Sequence, residues 1–349
     1  MKERKKAIIY TLSYMLCIVA LSYAIINPYY KHYMLGASYY QDAPIRQEMS
    51  GSIDFLVIGA SQASRAFVPE VLDLELGVNS YNLAVPLMTM DSRSYMLEKE
   101  LKRNPVSSTV IEISYNALIR KRSEEGPEGV LRTLGNLDSY GERIKYFFSY
   151  VLPKEYGQIF YQSLHYGFLS WENILNKKIP VYKVDGYSKG FRGLKNKDLT
   201  IDSEKFQQNF HRSAWDENYE KDNLEYLEKM ISDCKEKGSR VIIVVTPISD
   251  KELSYRNNNS SFDEFMTLFA NENQCEYYNF NLYKNKDILF PETTAFYDGD
   301  HLSDSGARTF SSEVCEVLLA NNPQERFWES YEEAEENNSY IKSKLMENN

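Results

Sequence analysis

The stretch IDFLVIGAS, residues 53–61, indicates the class of fold. It is a short apolar run that ends in small residues. Such a run is typical of a strand buried in a parallel sheet, because helices cover both faces of that kind of sheet. Ser61 lies just after the predicted end of this strand. Ligands of parallel sheets bind outside the carboxyl ends of the strands, so this serine is expected at the edge of the sheet where chemistry takes place.

In the chain after this stretch, predicted strands alternate with predicted helices, and this order is typical of an α/β fold. Four further strands are predicted, at 80–85, 108–114, 240–249 and 275–280. Helices are predicted around 69–76, at 91–104, at 223–238, at about 261–273 and from Ser303 to about Leu319. Together they predict a flavodoxin-like sheet of five parallel strands in a domain that covers residues 53–320. Beyond it, residues 321–349 are expected to form an acidic tail that is helical in part and weakly attached.

The alternation breaks after the third strand, where residues 117–216 are expected to form a large insertion. This stretch is rich in aromatic residues, and its pattern indicates helical fragments rather than strands. Its cations Lys183, Lys189 and Arg192 are candidates for binding an anionic polymer, and its aromatic rings for stacking on sugars. The simpler alternative is that the rings form the insertion's own small core and the charges its solvated surface.

The first thirty residues predict a membrane anchor. MKERKK is followed by residues 7–26, which carry no formal charge and would form a helix of about 30 Å, the thickness of the hydrocarbon core of a bilayer. The net charge of +3 on the first six residues predicts that the N-terminus is cytoplasmic and the rest of the chain extracytoplasmic. Residues 1–30 are therefore expected to be an uncleaved signal anchor, followed by a linker at 31–52. A cleaved signal peptide and a buried core helix are the alternatives.

The composition excludes several classes of function. The chain has a net charge of −10, and an acidic exported domain has no electrostatic reason to bind nucleic acid. One of the four cysteines lies in the predicted span, and the other three are too widely spaced to predict a disulfide framework. The four histidines are scattered, and nothing in the pattern points to a metal site. No metal or other cofactor is therefore expected.

The stretch DGDHLSDSGA, residues 298–307, places one of the four histidines in the loop after the last strand. A serine hydroxyl becomes a nucleophile only when a base accepts its proton and a third group orients that base. Ser61, His301 and Asp298 match these roles, because a spacing of three residues can bring the aspartate back to the imidazole. Asp300 is expected to be badly placed for this contact and to serve the loop or the next helix.

Each member of this set also has a simpler interpretation. A serine after a strand is more often a helix cap, a loop histidine is often a surface residue, and an aspartate next to a glycine is usually a turn former. The combination favours the triad, because the serine lies in the first loop at the sheet edge and the aspartate and histidine lie in the last.

The residues GAS, ending in Ser61, and DGDH, with Asp298 and His301, resemble the first and last blocks of the SGNH or GDSL-type esterase and acyltransferase superfamily. The resemblance implies an SGNH-type α/β domain in which the backbone N–H of Ser61 and the side chain of Asn116, in ISYNAL, stabilise an oxyanion. The family's glycine block would fall on NLAVPLM, which has no glycine. The backbone N–H of Ala84 or of a neighbouring residue is the predicted substitute there.

The N-terminal anchor makes the chain similar to members that accompany membrane-bound O-acyltransferases, namely the alginate O-acetylation proteins and the D-alanyl transfer protein of teichoic acid synthesis. This resemblance implies a serine acyltransferase that forms an acyl-enzyme and modifies an envelope polysaccharide or exopolysaccharide, with a membrane O-acyltransferase as partner. The alternatives are a carbohydrate esterase or deacetylase of the same fold, an α/β-hydrolase whose nucleophile elbow is GASQA, and an anchored binding or scaffold protein without catalysis.

Overall fold

A computed structural model describes residues 2–29, 43–122, 124–161, 187–194, 215, 219–256 and 258–337. The chain divides into two compact units, of which one comprises residues 1–44 and 126–183 and the other residues 45–125 and 184–349. The second unit contains every strand that the structure describes.

The second unit is built on one sheet of five strands that all run parallel, namely β1 Phe55–Ile58, β2 Ser80–Asn82, β3 Ser108–Glu112, β4 Arg240–Val245 and β5 Glu276–Asn279. Their order in the sheet is β2-β1-β3-β4-β5. This is the order of flavodoxin-like doubly wound sheets, in which ligands bind where the strand order reverses, between β1 and β3. The prediction of an α/β fold with five parallel strands is confirmed.

Helices make up most of the rest of the described chain: α1 Lys2–Tyr29, α2 Ser61–Ala66, α3 Pro69–Leu76, α4 Met90–Arg103, α5 Tyr115–Ile119, α6 Glu128–Gly135, α7 Tyr140–Tyr150, α8 Lys221–Glu236, α9 Asp250–Tyr255, α10 Asn259–Glu272, α11 Lys286–Leu289, α12 Glu292–Ala295 and α13 Asp304–Leu319. Single turns of 3-10 helix lie at Pro153–Glu155, Phe280–Leu282 and Pro323–Arg326. The predicted closing helix after Ser303 is confirmed, and the Ser303 hydroxyl caps it by accepting the N–H of Gly306 at 3.2 Å.

Both faces of the sheet are buried, which explains why its strands read as continuous apolar runs. Along β1, Phe55 and Val57 pack into one cluster with residues of α3 and α13, such as Leu72 and Phe310. Successive side chains of a strand point to opposite faces, so Leu56 and Ile58 lie on the other face, and both are fully buried. A strand buried in this way shows no polar alternation.

The predicted membrane span corresponds to α1 of the first unit. Its segment Arg4–Ala24 is long and apolar enough to cross a membrane, and none of it is buried in the structure. Large apolar side chains along it, such as Leu12 and Leu16, are exposed. A helix that exposes large apolar side chains along its length is poorly suited to water, so its length and composition agree with an anchor.

Within the stretch 117–216 the described residues include helical fragments, as predicted, namely α6 and α7, but also two strands that were not predicted. Two short antiparallel strands, Tyr187–Ser188 and Phe191–Arg192, form a hairpin there. Lys189 and Gly190 have φ values of 45° and 89°, as both central residues of a type I′ turn require. A Cβ on Gly190 would lie 1.9 Å from the carbonyl oxygen of Asn82, so only glycine lets the hairpin approach the end of β2.

The ends of the α/β unit also differ from the predicted boundaries. Arg46, in the predicted linker, is 1% exposed, and its Nε lies 2.8 Å from Glu100 on α4. Phe327, in the predicted tail, is buried, and its ring centroid lies 5.3 Å from those of Phe280 and Tyr283. The described chain on both sides of 53–320 is therefore attached to the core of the unit.

Candidate active site

Ser61 lies at the carboxyl edge of the sheet because β1 ends at Ile58 and α2 begins at Ser61. Gly59 makes the connection between them possible. A Cβ on this residue would lie 2.5 Å from both the Ala63 Cβ and the Glu112 Oε2, which real side chains do not tolerate. The small residues of GAS therefore let the loop pass close to the end of β3 and present the serine at the position between β1 and β3.

His301 is held by a short loop that precedes α13. Phe296 and Leu302 form a bridge across this loop, and the N–H of Tyr297 donates to the carbonyl of His301 at 2.8 Å. The imidazole Nε2 lies 2.8 Å from the Ser61 Oγ, although the two residues are 240 positions apart in the chain. The structure thus brings the two predicted residues within hydrogen-bond distance, which is the contact that a base needs to accept a serine proton.

Asp298 lies on the other side of the imidazole. Its Oδ1 and Oδ2 are 2.8 and 3.0 Å from the Nδ1 of His301. The backbone N–H of His301 also donates to Asp298 Oδ1, at 2.9 Å, so the spacing of three residues closes a compact turn. This contact favours the tautomer in which Nδ1 carries the proton and Nε2 is free to accept one from Ser61.

The expectation for Asp300 was wrong. Its Oδ1 lies 2.9 Å from the Nδ1 of His301, so two carboxylates approach the same ring nitrogen. The loop folds back on itself, and this brings adjacent acids to one side of the imidazole, a result that residue spacing alone does not predict. Only Asp298 also accepts backbone N–H groups of the loop, from Asp300 and His301.

The two acids change the proton affinity of the site. Burial opposes the cationic form of His301, but its hydrogen bonds to Asp298 and Asp300 and the charge of Asp300 outweigh burial and raise the pKa of the imidazole to about 9. Burial also opposes ionisation of Asp300, yet the hydrogen bond and charge of His301 and the charge of Arg256 hold the pKa of that carboxyl below its usual range. The imidazole is therefore a strong base that is neutral mainly at alkaline pH.

A cavity of about 290 Å³ opens at Ser61 and His301. Asn116, at the start of α5, lines it, so the structure brings this predicted oxyanion donor to the serine. Ala84 does not line it. The N–H of Ala84 donates to the Oδ1 of Asn82 at 3.0 Å, and this bond leaves no proton for an oxyanion. The prediction for Ala84 is therefore contradicted by a local turn that the Asn82 side chain closes.

Leu87 is a site residue that the sequence interpretation missed. Residues 85–88 form a turn in which the N–H of Met88 donates to the carbonyl of Val85 at 3.0 Å. Leu87 has a φ of 63°, as the third residue of a type II turn requires, although glycine usually takes that position. It lines the cavity, and among the described residues its own N–H has no hydrogen-bond partner. Pro86, which favours the second position of such turns, was the available signal.

The predicted polymer-binding cations are not brought to this cavity. Lys183 lies outside the described residues. The amine of Lys189 forms an ion pair with Asp73, and Arg192 is 7% exposed and donates to the carbonyl of Gly190 at 3.1 Å. Both described cations have partners within the fold, so neither is a group free to meet a substrate at Ser61.

One group of possible metal ligands occurs in the described parts of the chain: Asp298, Asp300 and His301. Asp298 and His301 belong to the candidate triad, and Asp300 lies between them in the sequence. Both ring nitrogens of His301 already contact protein groups, Nε2 with Ser61 and Nδ1 with the carboxylates. A cation bound by the imidazole would have to displace one of these contacts.

Comparison with known proteins adds no assignment to this geometry. No family model matches the chain, and a search of curated proteins finds no match. The candidate site is therefore supported by its own residues and contacts.

Proposed function

We propose that this protein is a membrane-anchored serine acyltransferase of the SGNH type that modifies an extracytoplasmic polysaccharide or glycopolymer through an acyl-enzyme. One observation carries the proposal. Ser61, His301 and Asp298 form a continuous chain of contacts of 2.8 Å at the carboxyl edge of a parallel sheet. That arrangement supplies a nucleophile, its base and the group that orients the base.

In the proposed first half-reaction, Ser61 Oγ attacks the carbonyl carbon of an acyl donor while its proton passes to His301 Nε2. The C–O bond to the leaving group then breaks, and His301 returns the proton to the departing oxygen. Asp298 stays ionised throughout and stabilises the imidazolium. In the second half-reaction, a sugar hydroxyl gives its proton to His301 Nε2 as its oxygen attacks the acyl carbon. The bond from that carbon to Ser61 Oγ then breaks, and His301 returns the proton to Oγ, which restores the free serine.

The negative oxygen that forms at each attack needs donors beside the serine. The N–H of Ser61, the side chain of Asn116 and the N–H of Leu87 are the proposed set, because all three residues line the same cavity. Leu87 takes the role first assigned to Ala84. A turn that holds a leucine at positive φ costs free energy, and such strain is commonly retained where a backbone group must be aimed at a ligand.

The helix α1 supports the proposed location. A span near the N-terminus with basic residues before it is expected to leave residues 1–6 in the cytoplasm and the α/β unit outside. A membrane O-acyltransferase is the proposed source of the acyl group, since an acyl donor made in the cytoplasm has to be passed across the bilayer. The proposed insertion, residues 117–216, is where the choice between a sugar hydroxyl and water as acceptor would be made.

The serine chemistry is tested on the full chain in detergent micelles with a fluorophosphonate probe and p-nitrophenyl acetate. The wild-type chain is expected to be labelled and to release a burst of p-nitrophenol. Ser61→Ala is expected to lose both. Ser312→Ala is the matched control. Ser312 lies on the surface of α13, where its hydroxyl donates to Glu75 at 3.0 Å, and it does not line the cavity. A wild-type chain that neither bursts nor takes the label would contradict the proposal.

Transfer is separated from hydrolysis in cells. The ester content of envelope polysaccharides is compared between cells with the gene, cells without it and cells with Ser61→Ala. A transferase predicts a fall in ester content in the last two. A rise in both would identify the protein as an esterase or deacetylase, which has the same triad but uses water as the acceptor.

A further inference from the structure

Glu112 lies directly behind the loop that carries Ser61. It is the last residue of β3 and is 1% exposed. Its Oε2 accepts the N–H of Ala60, the residue before the serine, at 3.0 Å. The lack of a side chain at Gly59 is what allows this carboxylate to come so close. The backbone of the serine loop is therefore tied to a buried negative charge.

Arg93, on α4, joins this carboxylate to the proposed oxyanion turn. It is 2% exposed, and its Nη1 donates to the carbonyl of Glu112 at 2.8 Å. Its Nε donates to the carbonyl of Met88, the last residue of the turn at 85–88, at 3.2 Å. One rigid, planar guanidinium thus binds the end of β3 and the turn that presents Leu87.

The contacts between Arg93 and Glu112 are too long and too few to account for the pair by the stability of the fold alone. Nη1 of Arg93 lies 3.9 Å from Oε2 of Glu112, and the other carboxylate oxygen, Oε1, is buried without a hydrogen-bond partner among the described residues. Buried charges cost desolvation energy that only close, fully bonded contacts offset. A second pair, Arg46 and Glu100, is equally buried, has a closer contact of 2.8 Å and does not line the cavity.

We propose that Arg93 and Glu112 are positioning residues that hold the Ser61 loop and the 85–88 turn at the separation that attack on a carbonyl requires. This inference rests on the proposed function and deepens it. Neither side chain takes part in bond making. Arg93 sets the position of the Leu87 N–H through Met88, and Glu112 sets that of Ser61 through Ala60. Displacement of reacting groups by about 1 Å can cost a factor of about 100 in rate.

The test measures the second-order rate constant for labelling of Ser61 by a fluorophosphonate, together with the KM and kcat for p-nitrophenyl acetate and the Tm, on the full chain in detergent. Arg93→Lys keeps the charge but cannot reach both carbonyls, so it is expected to lower the labelling rate and kcat by about 10- to 100-fold with little change in KM. Arg46→Lys is the matched control and is expected to lower the Tm without slowing the labelling of folded protein.

Glu112 is tested by a pair of variants. Glu112→Gln keeps an oxygen for the N–H of Ala60 and is expected to stay within about threefold of the wild-type rate, whereas Glu112→Met removes the acceptor and is expected to lose about 10-fold or more. If folded Arg93→Lys and Glu112→Met label at the wild-type rate, the positioning role is overturned while the proposed function stands. A wild-type chain that takes no label would overturn the proposed function and the positioning role together.

Discussion

Two cavities among the described residues of the α/β unit differ in size and in how their polar groups are arranged. The larger, about 670 Å³, is lined by Trp328 and Tyr331 and by several charged side chains. Two of its cations have contacts inside the protein: Lys286 lies 2.7 Å from Asp250, and the amine of Lys284 lies 5.0 Å from the centre of the Trp328 ring. The cavity of about 290 Å³ instead contains a serine and a base in contact.

The difference between the two cavities lies in how the polar groups are arranged. In the larger cavity, Lys286 pairs with Asp250 and Lys284 lies over the Trp328 ring. In the smaller one the polar groups form a directed series from a carboxylate through an imidazole to a hydroxyl, with backbone donors beside it. Volume alone would select the larger cavity as the candidate active site, whereas hydrogen-bond geometry selects the smaller one, where Ser61 and His301 are in contact. If this contrast is correct, changes at the triad should lower the rate far more than changes at the larger cavity.

Replacement of Asp298 is expected to have the largest effect among these predictions. Asp298→Asn removes the charge that stabilises the imidazolium and favours the wrong tautomer, which typically costs about 10²–10⁴-fold in rate. Asp300 also approaches Nδ1, at 2.9 Å, so the loss is expected near the lower end of this range. The double variant Asp298→Asn/Asp300→Asn is expected to fall further. The rate of fluorophosphonate labelling measures both effects.

A chelator supplies the control for this prediction. If His301 and its two aspartates held a metal ion, EDTA would abolish the reaction as thoroughly as Asp298→Asn does. The triad predicts instead that EDTA leaves the labelling rate of the wild-type chain unchanged.

The pH dependence is expected to follow the imidazole. Only neutral His301 can accept the serine proton, so with a pKa of about 9 the labelling rate should rise with pH and level off above that value. Asp300→Asn removes one of the contacts that raise this pKa, so its profile should shift to lower pH. The larger neutral fraction of His301 should then offset lost stabilisation of the imidazolium, so the rate at neutral pH should stay well above that of Asp298→Asn. An unshifted profile would show that Asp300 does not act on the imidazole.

The raised pKa of His301 also affects the stability of the folded chain. A folded-state pKa above the usual value of 6.5 stabilises the folded chain while the imidazole is protonated in both states. That contribution is fully present below about pH 6.5 and is lost as the pH rises toward about 9. The stability difference between the wild-type chain and His301→Gln, measured by thermal unfolding, should therefore shrink over this interval.

The smallest effect is expected at the larger cavity. Trp328→Ala removes an aromatic side chain that lines it and leaves the triad untouched, so the labelling rate should change by less than about twofold. A loss of tenfold or more in folded protein would show that the larger cavity takes part in the reaction and that the contrast between the two cavities is false.

Much of the sheet and part of the site could be predicted from the sequence because their signals are local. Continuous apolar runs mark strands that are buried on both faces, and IDFLVIGAS shows this most clearly. The interval between Asp298 and His301 is also local, since three residues span one turn. Ser61 was assigned from its place after the first strand, because parallel strands bring their carboxyl ends to one edge.

The remaining features depend on contacts between distant parts of the chain. The donor at Ala84 was wrong because the side chain of Asn82 turns back on it. Lys189 is paired with Asp73, which lies 116 positions away in the sequence. Lys189 and Gly190 were a local indication of the turn in the hairpin at 187–192. Each strand has only two residues, however, which is too short for hydrophobic periodicity to reveal the strand.

The sequence by itself determined an apolar N-terminal helix, five parallel strands and the residue types for a nucleophile, a base and an orienting acid. These follow from the chain's own periodicity and spacing. Three features depend on the tertiary structure: Asp300 joins Asp298 at the imidazole, Leu87 lines the cavity, and Arg93 connects the end of β3 to the turn at 85–88. Such contacts are set by how loops fold over a sheet edge, where a difference of a few ångströms separates a hydrogen bond from no interaction.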